Sequence, residues 1–361
     1  MTTISDLAVE VKDTFKPTQD IDVPFVGLEH VEQNSLRLSG HGSSKSVDSN
    51  KYFFKKGDIL FGTLRPYFRK LIVAPMDGVC STEFSVIRPK NPVDRNYVFY
   101  CLAQGPFIEY ATTNSNGARP RTKWDLFSDF EVEIFDEPYR EKLGQLLRNY
   151  DDLIENNRRR IALLEEAARL LYREWFVHFC FPGAEHVKIS EGLPEGWVRT
   201  TLGEFSPFKY GKALKAGDRQ AGDVPVYGSS GFVGSHNKTL VDTSSIVIGR
   251  KGNVGSVFWA ERGFWPIDTV YFIEPEQASL FLFQALQNVS FINTDVAVPG
   301  LNRNMAHSRE IVIPNKSILD EFEEIAGTFQ NQISVLRKQV DELAKARDLL
   351  VPRLMDGRLE I

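Results

Sequence analysis

The chain has 361 residues, of which 42% are hydrophobic and 25% are charged, so it can form more than one folded core. Its apolar runs fall short of the ~18 residues that a membrane-spanning helix needs. The net charge of −5 does not by itself indicate a nucleic-acid partner, and three scattered cysteines predict neither a disulfide framework nor a cysteine-based zinc site. The first residues lack the features of a secretory signal, so we expect a cytoplasmic protein.

The first third of the chain is locally basic. Residues 45–123 contain thirteen Lys and Arg against six Asp and Glu, a local excess of seven positive charges. This cluster is compatible with binding to phosphates, and equally with an ordinary solvated surface.

The predicted strands of the first half recur later in the chain with the same apolar alternation. The matching segments are 23–27 with 224–228, 59–63 with 246–250, and 81–89 with 267–275. Short helices are predicted at 97–103 and 280–286, and short apolar runs bounded by Gly and Pro are typical of strands. The sequence therefore predicts two copies of an α+β domain.

A long helix follows each copy, and the two helices align at a constant offset of 179 residues. Their apolar residues recur every seven positions, which favours a coiled coil over an amphipathic helix packed on a globular core. The first helix is predicted from about Pro138 to Phe176, roughly 55 Å long. Two polar residues at core positions, Asn157 and Arg347, could fix the register. The predicted coiled-coil or partner-contacting residues are Ile154, Ile161, Leu164, Leu171, Ile333, Val340, Leu343 and Leu350.

Basic loops occupy matching places in the two copies, at 64–70 and 250–253 and again at 117–123 and 300–304. Lys and Arg suit phosphate contacts, while Arg and Asn can bind guanine and adenine through paired hydrogen bonds. We find no catalytic constellation and no metal-ligand spacing among the histidines. The glycine-rich segments 228–234 and 249–255 are predicted to be turns with positive φ.

Several segments resemble the DNA-specificity subunits of type I restriction–modification systems. They are Leu-Ile-Glu-Asn-Asn-Arg-Arg-Arg-Ile at 153–161 leading into 170–176, Leu-Pro-Glu-Gly-Trp at 193–197, 57–66 with 80–84, 225–231 with 249–255, and 349–357. The stretches 135–139 and 314–318 depart from the family pattern before each long helix, which leaves the helix starts open.

The resemblance implies an α+β fold with two similar target-recognition domains separated by two long antiparallel helices, which form a coiled coil with a pseudo-twofold internal repeat. The predicted segments are 1–137 (target-recognition domain 1), 138–178 (central conserved helix), 179–315 (target-recognition domain 2) and 316–361 (C-terminal conserved helix). Each domain would read one half of a bipartite, asymmetric DNA target, and the helices would set the spacer.

The resemblance also implies that this chain is a non-catalytic subunit of a type I deoxyribonuclease and adenine methyltransferase complex. Its partners would be double-stranded DNA, methylation subunits, typically two, and motor–nuclease subunits. The partner subunits, not this chain, would bind S-adenosylmethionine, ATP and Mg²⁺. No membrane partner is expected.

If the chain is such a DNA-specificity subunit, its candidate DNA-binding residues lie in the basic loops. They are Arg65, Tyr67, Arg69, Lys70, Arg119, Arg121 and Lys123 in the first copy, and Arg250, Lys251, Asn253, Asn302, Arg303 and Asn304 in the second. A competing interpretation pairs Arg65 and Arg69 with nearby carboxylates on an inert surface. Two other functions stay open: a non-enzymatic coiled-coil scaffold that binds proteins rather than DNA, and a stand-alone nuclease or methyltransferase.

Overall fold

A computed structural model of the chain describes residues 1–291 and 300–361, which form two compact units. Unit 1 comprises Met1–Asn156 and Gln339–Ile361, and unit 2 comprises Asn157–Lys338. Each long helix contributes residues to both units. The division into four segments, which gives each helix a segment of its own, stays a prediction.

Unit 1 is built on two β-sheets. Its strands are β1 (Thr2–Thr3), β2 (Ala8–Val11), β3 (Thr14–Phe15), β4 (Pro24–Val26), β5 (Gly42–Ser43), β6 (Lys51–Phe54), β7 (Ile59–Gly62), β8 (Leu71–Val73), β9 (Gly78–Cys80), β10 (Phe84–Pro89) and β11 (Glu131–Val132). One sheet is antiparallel with the order β2-β10-β7-β8, and the other has the order β3-β6-β9-β4-β5, in which β4 and β9 are parallel. A separate antiparallel pair joins β1 to β11.

Both faces of the first sheet are covered. The helices α1 (Ile4–Leu7), α2 (Arg95–Ala103), α3 (Gly105–Thr113) and α4 (Trp124–Phe127) complete this part of the unit. On β7, Ile59 and Phe61 join the core that includes α2, whereas Leu60 points into a second core. This alternation follows from the two-residue period of a strand. The helix α2 is buried along Tyr97–Ala103 because it is apolar on every side.

The long helix α5 (Glu137–Tyr172) continues into a π-helical turn, Arg173–Val177. The strands of unit 2 are β12 (Ile189–Ser190), β13 (Leu193–Pro194), β14 (Val198–Thr201), β15 (Lys209–Tyr210), β16 (Val224–Gly228), β17 (Gly231–His236), β18 (Ser245–Gly249), β19 (Val257–Ala260), β20 (Trp265–Pro266), β21 (Val270–Phe272) and β22 (Glu310–Ile313). Its shorter helices are α6 (Leu202–Phe205), α7 (Leu280–Asn288) and α8 (Arg303–His307), and the last helix is α9 (Lys316–Met355).

Unit 2 repeats the first sheet of unit 1 and part of its second sheet, which has three strands in unit 2 and five in unit 1. Its first sheet has the order β15-β21-β18-β19, the counterpart of β2-β10-β7-β8. Its second sheet has the order β17-β16-β20, and the parallel pair β16–β20 corresponds to β4–β9. On β18, Ile246 and Ile248 enter one core and Val247 enters another, as on β7. The predicted internal repeat and the α+β fold class are therefore confirmed.

The starts of the two long helices, which the sequence left open, are set by equivalent caps. The carboxylate of Asp136 accepts a hydrogen bond from the Tyr139 N–H at 3.0 Å, and the Asn315 side chain accepts one from the Ile318 N–H at 3.1 Å. A side chain that satisfies a free N–H in the first turn stabilises a helix start. The two caps are 179 residues apart, the offset that relates the helices themselves.

The two long helices pair antiparallel within each unit. In unit 1, the Arg347 guanidinium of α9 donates to the Asp151 carboxylate of α5, and the Tyr139 hydroxyl donates to the Leu359 carbonyl. In unit 2, Arg337 and Glu165 form an ion pair at 2.7 Å.

The predicted coiled-coil residues lie on the inner face of these pairs. Ile154 and Ile333 are buried, as are the polar core residues Asn157 and Arg347. The other predicted residues are half-buried: Ile161, Leu164, Leu171, Val340, Leu343 and Leu350. Their burial fits a role in holding the helices together, and their contact with a partner stays a prediction.

Candidate nucleic-acid interface

In unit 1, the two predicted basic loops lie side by side. Leu64 and Arg121 form an isolated antiparallel bridge, and the Arg65 N–H donates to the Pro120 carbonyl at 2.7 Å. The Thr122 N–H donates to the carbonyl of the residue that follows β7. Residues more than fifty positions apart thus form one surface at the end of the central strand.

The cations on this surface differ in how firmly they are held. Arg121 pairs with Glu83 at 2.7 Å, and the Lys123 ammonium lies 3.9 Å from the Asp125 carboxylate. Arg119 is exposed, and the described residues give it no ion-pair partner. Because exposed ion pairs contribute about 0–1 kcal/mol, Arg121 and Lys123 can exchange their carboxylates for a phosphate.

The loop that carries Arg65, Tyr67, Arg69 and Lys70 turns part of its charge toward the protein. Lys70 donates from Nζ to the Leu28 carbonyl at 2.6 Å. Burial lowers the pKa of Arg69 below its ordinary value, and the charge of Asp348 opposes this effect. Both side chains are half-buried, whereas Tyr67 is exposed and Arg65 lies 5.8 Å from the Phe68 ring.

The geometry of this loop is set by its backbone. Arg65 and Arg69 have φ values of +52° and +48°, in the left-handed region that non-glycine residues rarely adopt. They flank the short 3₁₀ turn Pro66–Phe68. The side chain of Arg69 also lines a pocket beside Tyr67, and its Nε has no hydrogen-bond partner among the described residues.

Unit 2 brings its own two basic loops together in the same way. Lys251 and Gly300 form an isolated antiparallel bridge, and the Leu301 N–H donates to the Arg250 carbonyl at 2.8 Å. Gly249 allows the loop to fold back, because a Cβ at this position would lie 2.1 Å from the Asn253 carbonyl oxygen. The predicted positive φ is found in the same loop, at +82° for residue 252 and +77° for residue 255.

Two arginines of these loops meet at one aromatic ring. The Arg250 Cζ lies 5.3 Å from the centroid of the Tyr210 ring, and the Arg303 Cζ lies 4.9 Å from the same centroid. Tyr210 is 49% exposed, so the cluster faces solvent. At such distances a guanidinium is attracted to the ring face by about 0.5–1 kcal/mol at an exposed site.

The predicted asparagines have different environments. The Asn302 side chain caps α8 by accepting hydrogen bonds from the backbone N–H groups of Asn304 and Met305, at 2.8 Å and 3.2 Å. Asn253 and Asn304 are exposed, as is Lys251. The Asn302 oxygen is therefore occupied by the fold, while its neighbours offer side chains to solvent.

Tyr210 is the main candidate interface residue that the sequence interpretation missed. It lies on β15 directly opposite Tyr271 of β21, with ring centroids 5.1 Å apart. A signal was present, because Lys209-Tyr-Gly-Lys212 places an aromatic residue between two lysines. Interleaved aromatic and basic residues are typical of nucleic-acid surfaces.

Within the described residues, no helix is long and apolar enough to cross a membrane. The same residues contain no group of three or more His, Cys, Asp or Glu side chains arranged to hold a metal ion.

Comparison with known proteins gives one consistent result. Residues 194–345 match the family model of the type I restriction modification DNA specificity domain. The type I restriction enzyme MjaIX specificity subunit of Methanocaldococcus jannaschii is 25% identical, with 85% of this chain and 79% of that protein covered. The type I restriction enzyme HindI specificity subunit of Haemophilus influenzae is 23% identical, with 99% of this chain and 98% of that protein covered.

A solved structure shares the fold. The crystal structure of the type I restriction–modification system S subunit from M. genitalium superposes with a TM-score of 0.60 at 16% identity, over 98% of this chain and 95% of that one. The chain therefore shares its overall fold with that S subunit. The resemblance to type I restriction–modification specificity subunits is confirmed, and it is strongest over residues 194–345, which match the family's DNA specificity domain.

Proposed function

We propose that this chain is the sequence-specific DNA-binding subunit of a type I restriction–modification complex, and that each unit reads one half of a bipartite target. The observation that carries the proposal is the equivalent loop pairing in the two units. In each, the loop at the end of the central strand joins the loop before a short helix through a single bridge, Leu64–Arg121 or Lys251–Gly300. Phosphate contacts position a protein on DNA and base contacts specify the sequence, and these loops supply side chains of both kinds.

The proposal extends to the long helices as the spacer between half-sites and as the docking site for methylation subunits. Large apolar side chains are exposed along them, including Leu163 (69% exposed) and Leu170 in unit 2 and Leu349 (65% exposed) in unit 1. Single exposed apolar residues are ordinary. Leu163 and Leu170, however, are seven residues apart on one helix, as expected for a face that another protein covers.

In this proposal the chain recognises the DNA target sequence, and other subunits catalyse the reactions. Methylation subunits would bind S-adenosylmethionine, and motor–nuclease subunits would use ATP and Mg²⁺. Specificity subunits are generally non-catalytic, which fits the residue patterns of the sequence.

The test is binding of the full-length chain, reconstituted with its methylation subunit, to duplexes carrying the motif found by methylome sequencing. We expect a preference for that motif and a linear fall of log affinity with log salt, with a slope of about −0.9 per neutralised phosphate. Arg119→Ala should reduce the slope by about 0.9 if Arg119 contacts a phosphate. Lys316→Ala is a matched control, because Lys316 is an exposed cation engaged by Asp320 outside the loops.

Binding with no sequence preference and no salt slope would refute the proposal. It would favour the protein-binding scaffold, whose activity should survive neutralisation of both loops 117–123 and 249–253. Turnover by the purified chain alone with metal or S-adenosylmethionine would instead favour a stand-alone enzyme.

A further inference from the structure

Arg303 differs from the other predicted arginine of unit 2 in that the described residues leave its guanidinium without a hydrogen-bond or ion-pair partner. Among residues 1–291 and 300–361, no hydrogen bond or ion pair engages its guanidinium, which lies against the Tyr210 ring at 4.9 Å. Arg303 is the first residue of α8, whose start is fixed by the Asn302 cap. The base of the side chain is therefore held by the backbone while its tip keeps its donors available.

Arg250, in contrast, is fixed by the protein. Its Nε and Nη2 donate to the Asp268 carbonyl at 3.2 Å and 2.8 Å, and its Cζ lies near both Tyr210 and Tyr271. A guanidinium has five N–H donors in a rigid fork. The fork edge formed by Nε and Nη2 is occupied in Arg250, so Arg250 cannot use that edge to bind a base.

The Tyr210 ring is held firmly between these side chains. Its strand pairs with β21 in a fixed register, opposite Tyr271. The next residue, Gly211, packs closely against the neighbouring backbone, because a Cβ there would lie 2.1 Å from the Ile267 carbonyl oxygen. The hydroxyl of Tyr271 in turn donates to the Leu301 carbonyl at 2.9 Å, which ties the ring pair to the second loop.

Resting on the proposed function, we infer that Arg303 reads a guanine in the half-site of unit 2, and that Tyr210 is the positioning residue that holds its guanidinium for this contact. Guanine offers O6 and N7 as two acceptors in the major groove, and a free guanidinium fork matches both. The positive charge of Arg250 beside the same ring adds to that of Arg303, and the combined positive potential favours an electron-rich base edge or phosphate oxygen near the Arg303 guanidinium.

The test uses the reconstituted complex and duplexes in which each guanine of the motif is replaced in turn by 7-deazaguanine, which lacks the N7 acceptor. For the wild type, one replacement in one half-site should weaken binding roughly tenfold. Arg303→Ala should weaken binding to the natural motif roughly 5- to 150-fold. The same 7-deazaguanine replacement should then have no further effect on the variant.

The positioning role is tested separately. Tyr210→Ala should weaken binding about two- to tenfold, while Tyr210→Phe keeps the ring and should bind as the wild type does. In an Arg303→Ala background, Tyr210→Ala should cause no additional loss. Arg262→Ala is the matched control, because Arg262 belongs to the same unit but is engaged by Asp223. Thermal melting of each variant shows whether it is folded.

The outcomes separate this inference from the function on which it rests. If the wild type binds without sequence preference, the proposed function fails. If the wild type is selective but Arg303→Ala weakens all sequences equally, or every 7-deazaguanine replacement still acts on it, the guanine contact is wrong. If Tyr210→Phe is as defective as Tyr210→Ala, the ring does not act by positioning the guanidinium.

Discussion

The buried ion pair of the helix pair in unit 1 gives a sharp test of the structure. The Arg347 side chain is 6% exposed and Asp151 is 15% exposed. Asp151 accepts hydrogen bonds from Arg347 and from the hydroxyl of Tyr100 on α2. This cluster therefore joins α2, α5 and α9. Arg347→Met keeps the aliphatic volume but removes the charge.

The expected loss follows from the burial of the partner. Without Arg347 the Asp151 carboxylate keeps one hydroxyl donor in a site with little access to water, and removing one member of a buried pair costs about 3–5 kcal/mol. The second contact of Arg347, with the half-exposed Asp348, adds little because water screens it. We therefore expect the free energy of unfolding of unit 1 to fall by about 3–5 kcal/mol.

Native-state hydrogen exchange read by mass spectrometry at rising urea concentration measures this change in the α2 peptides. The triple variant Arg347→Met, Asp151→Leu and Tyr100→Phe should recover most of the loss, because no buried polar group is left unpaired. The control is Lys316→Met, which breaks an exposed pair with Asp320 and should cost under about 0.5 kcal/mol. A loss for Arg347→Met no larger than that of the control would refute the reasoning.

Three further predictions concern packing and pH. Gly144→Ala should destabilise unit 1 by about 1–3 kcal/mol, because its Cβ would lie 2.8 Å from a backbone nitrogen of α2. In contrast, the Cβ of Gly327→Ala on α9 would meet nothing within 4 Å, so this variant should be more stable by about 0.5–1 kcal/mol, and thermal melting of both variants measures the two changes. Phe322→Ala should destabilise unit 2 by about 3–5 kcal/mol, because this fully buried ring contacts four other aromatic rings, and tryptophan fluorescence during urea unfolding measures the loss. Burial, with the charge of Arg303, lowers the pKa of His307 below 6.5. The contribution of His307 to stability is therefore present above pH 6.5 and is lost as the pH falls through the lower pKa of the folded state. His307→Gln should flatten the pH dependence of the melting temperature between pH 7.5 and 5.

The repeated fold could be predicted from the sequence because its signal is local. The short apolar runs of β7 and β18 and the seven-residue spacing of α5 and α9 depend on residues close together in the chain. The order of strands in each sheet could not be predicted in this way, because it depends on pairings between distant segments. The starts of the long helices were left open because the family's usual motif is missing, although Asp136 and Asn315 are ordinary capping residues.

The candidate interface was only partly predictable for the same physical reason. Loop positions follow from the strands, but side-chain direction follows from backbone angles that the sequence does not specify. Arg69 adopts a left-handed φ of +48° and is half-buried, and the Lys70 ammonium is bound to a backbone carbonyl. The role proposed for Tyr210 depends on the register of β15 with β21, which brings it opposite Tyr271 and beside two loops far away in the chain.

The two units share a scaffold but present different chemistry on it. In unit 1 the paired loops offer Arg119, which has no ion-pair partner in the part of the chain that the structure describes, and Arg121 beside a carboxylate. In unit 2 they offer two arginines at the Tyr210 ring. Loop pairing is set by the backbone and is therefore retained between copies, while base edges are read by side chains, which differ. Two units of one topology with unlike loop residues should select two unlike half-sites. If the target is bipartite as proposed, its asymmetry would arise from side-chain differences on equivalent loops of a shared scaffold.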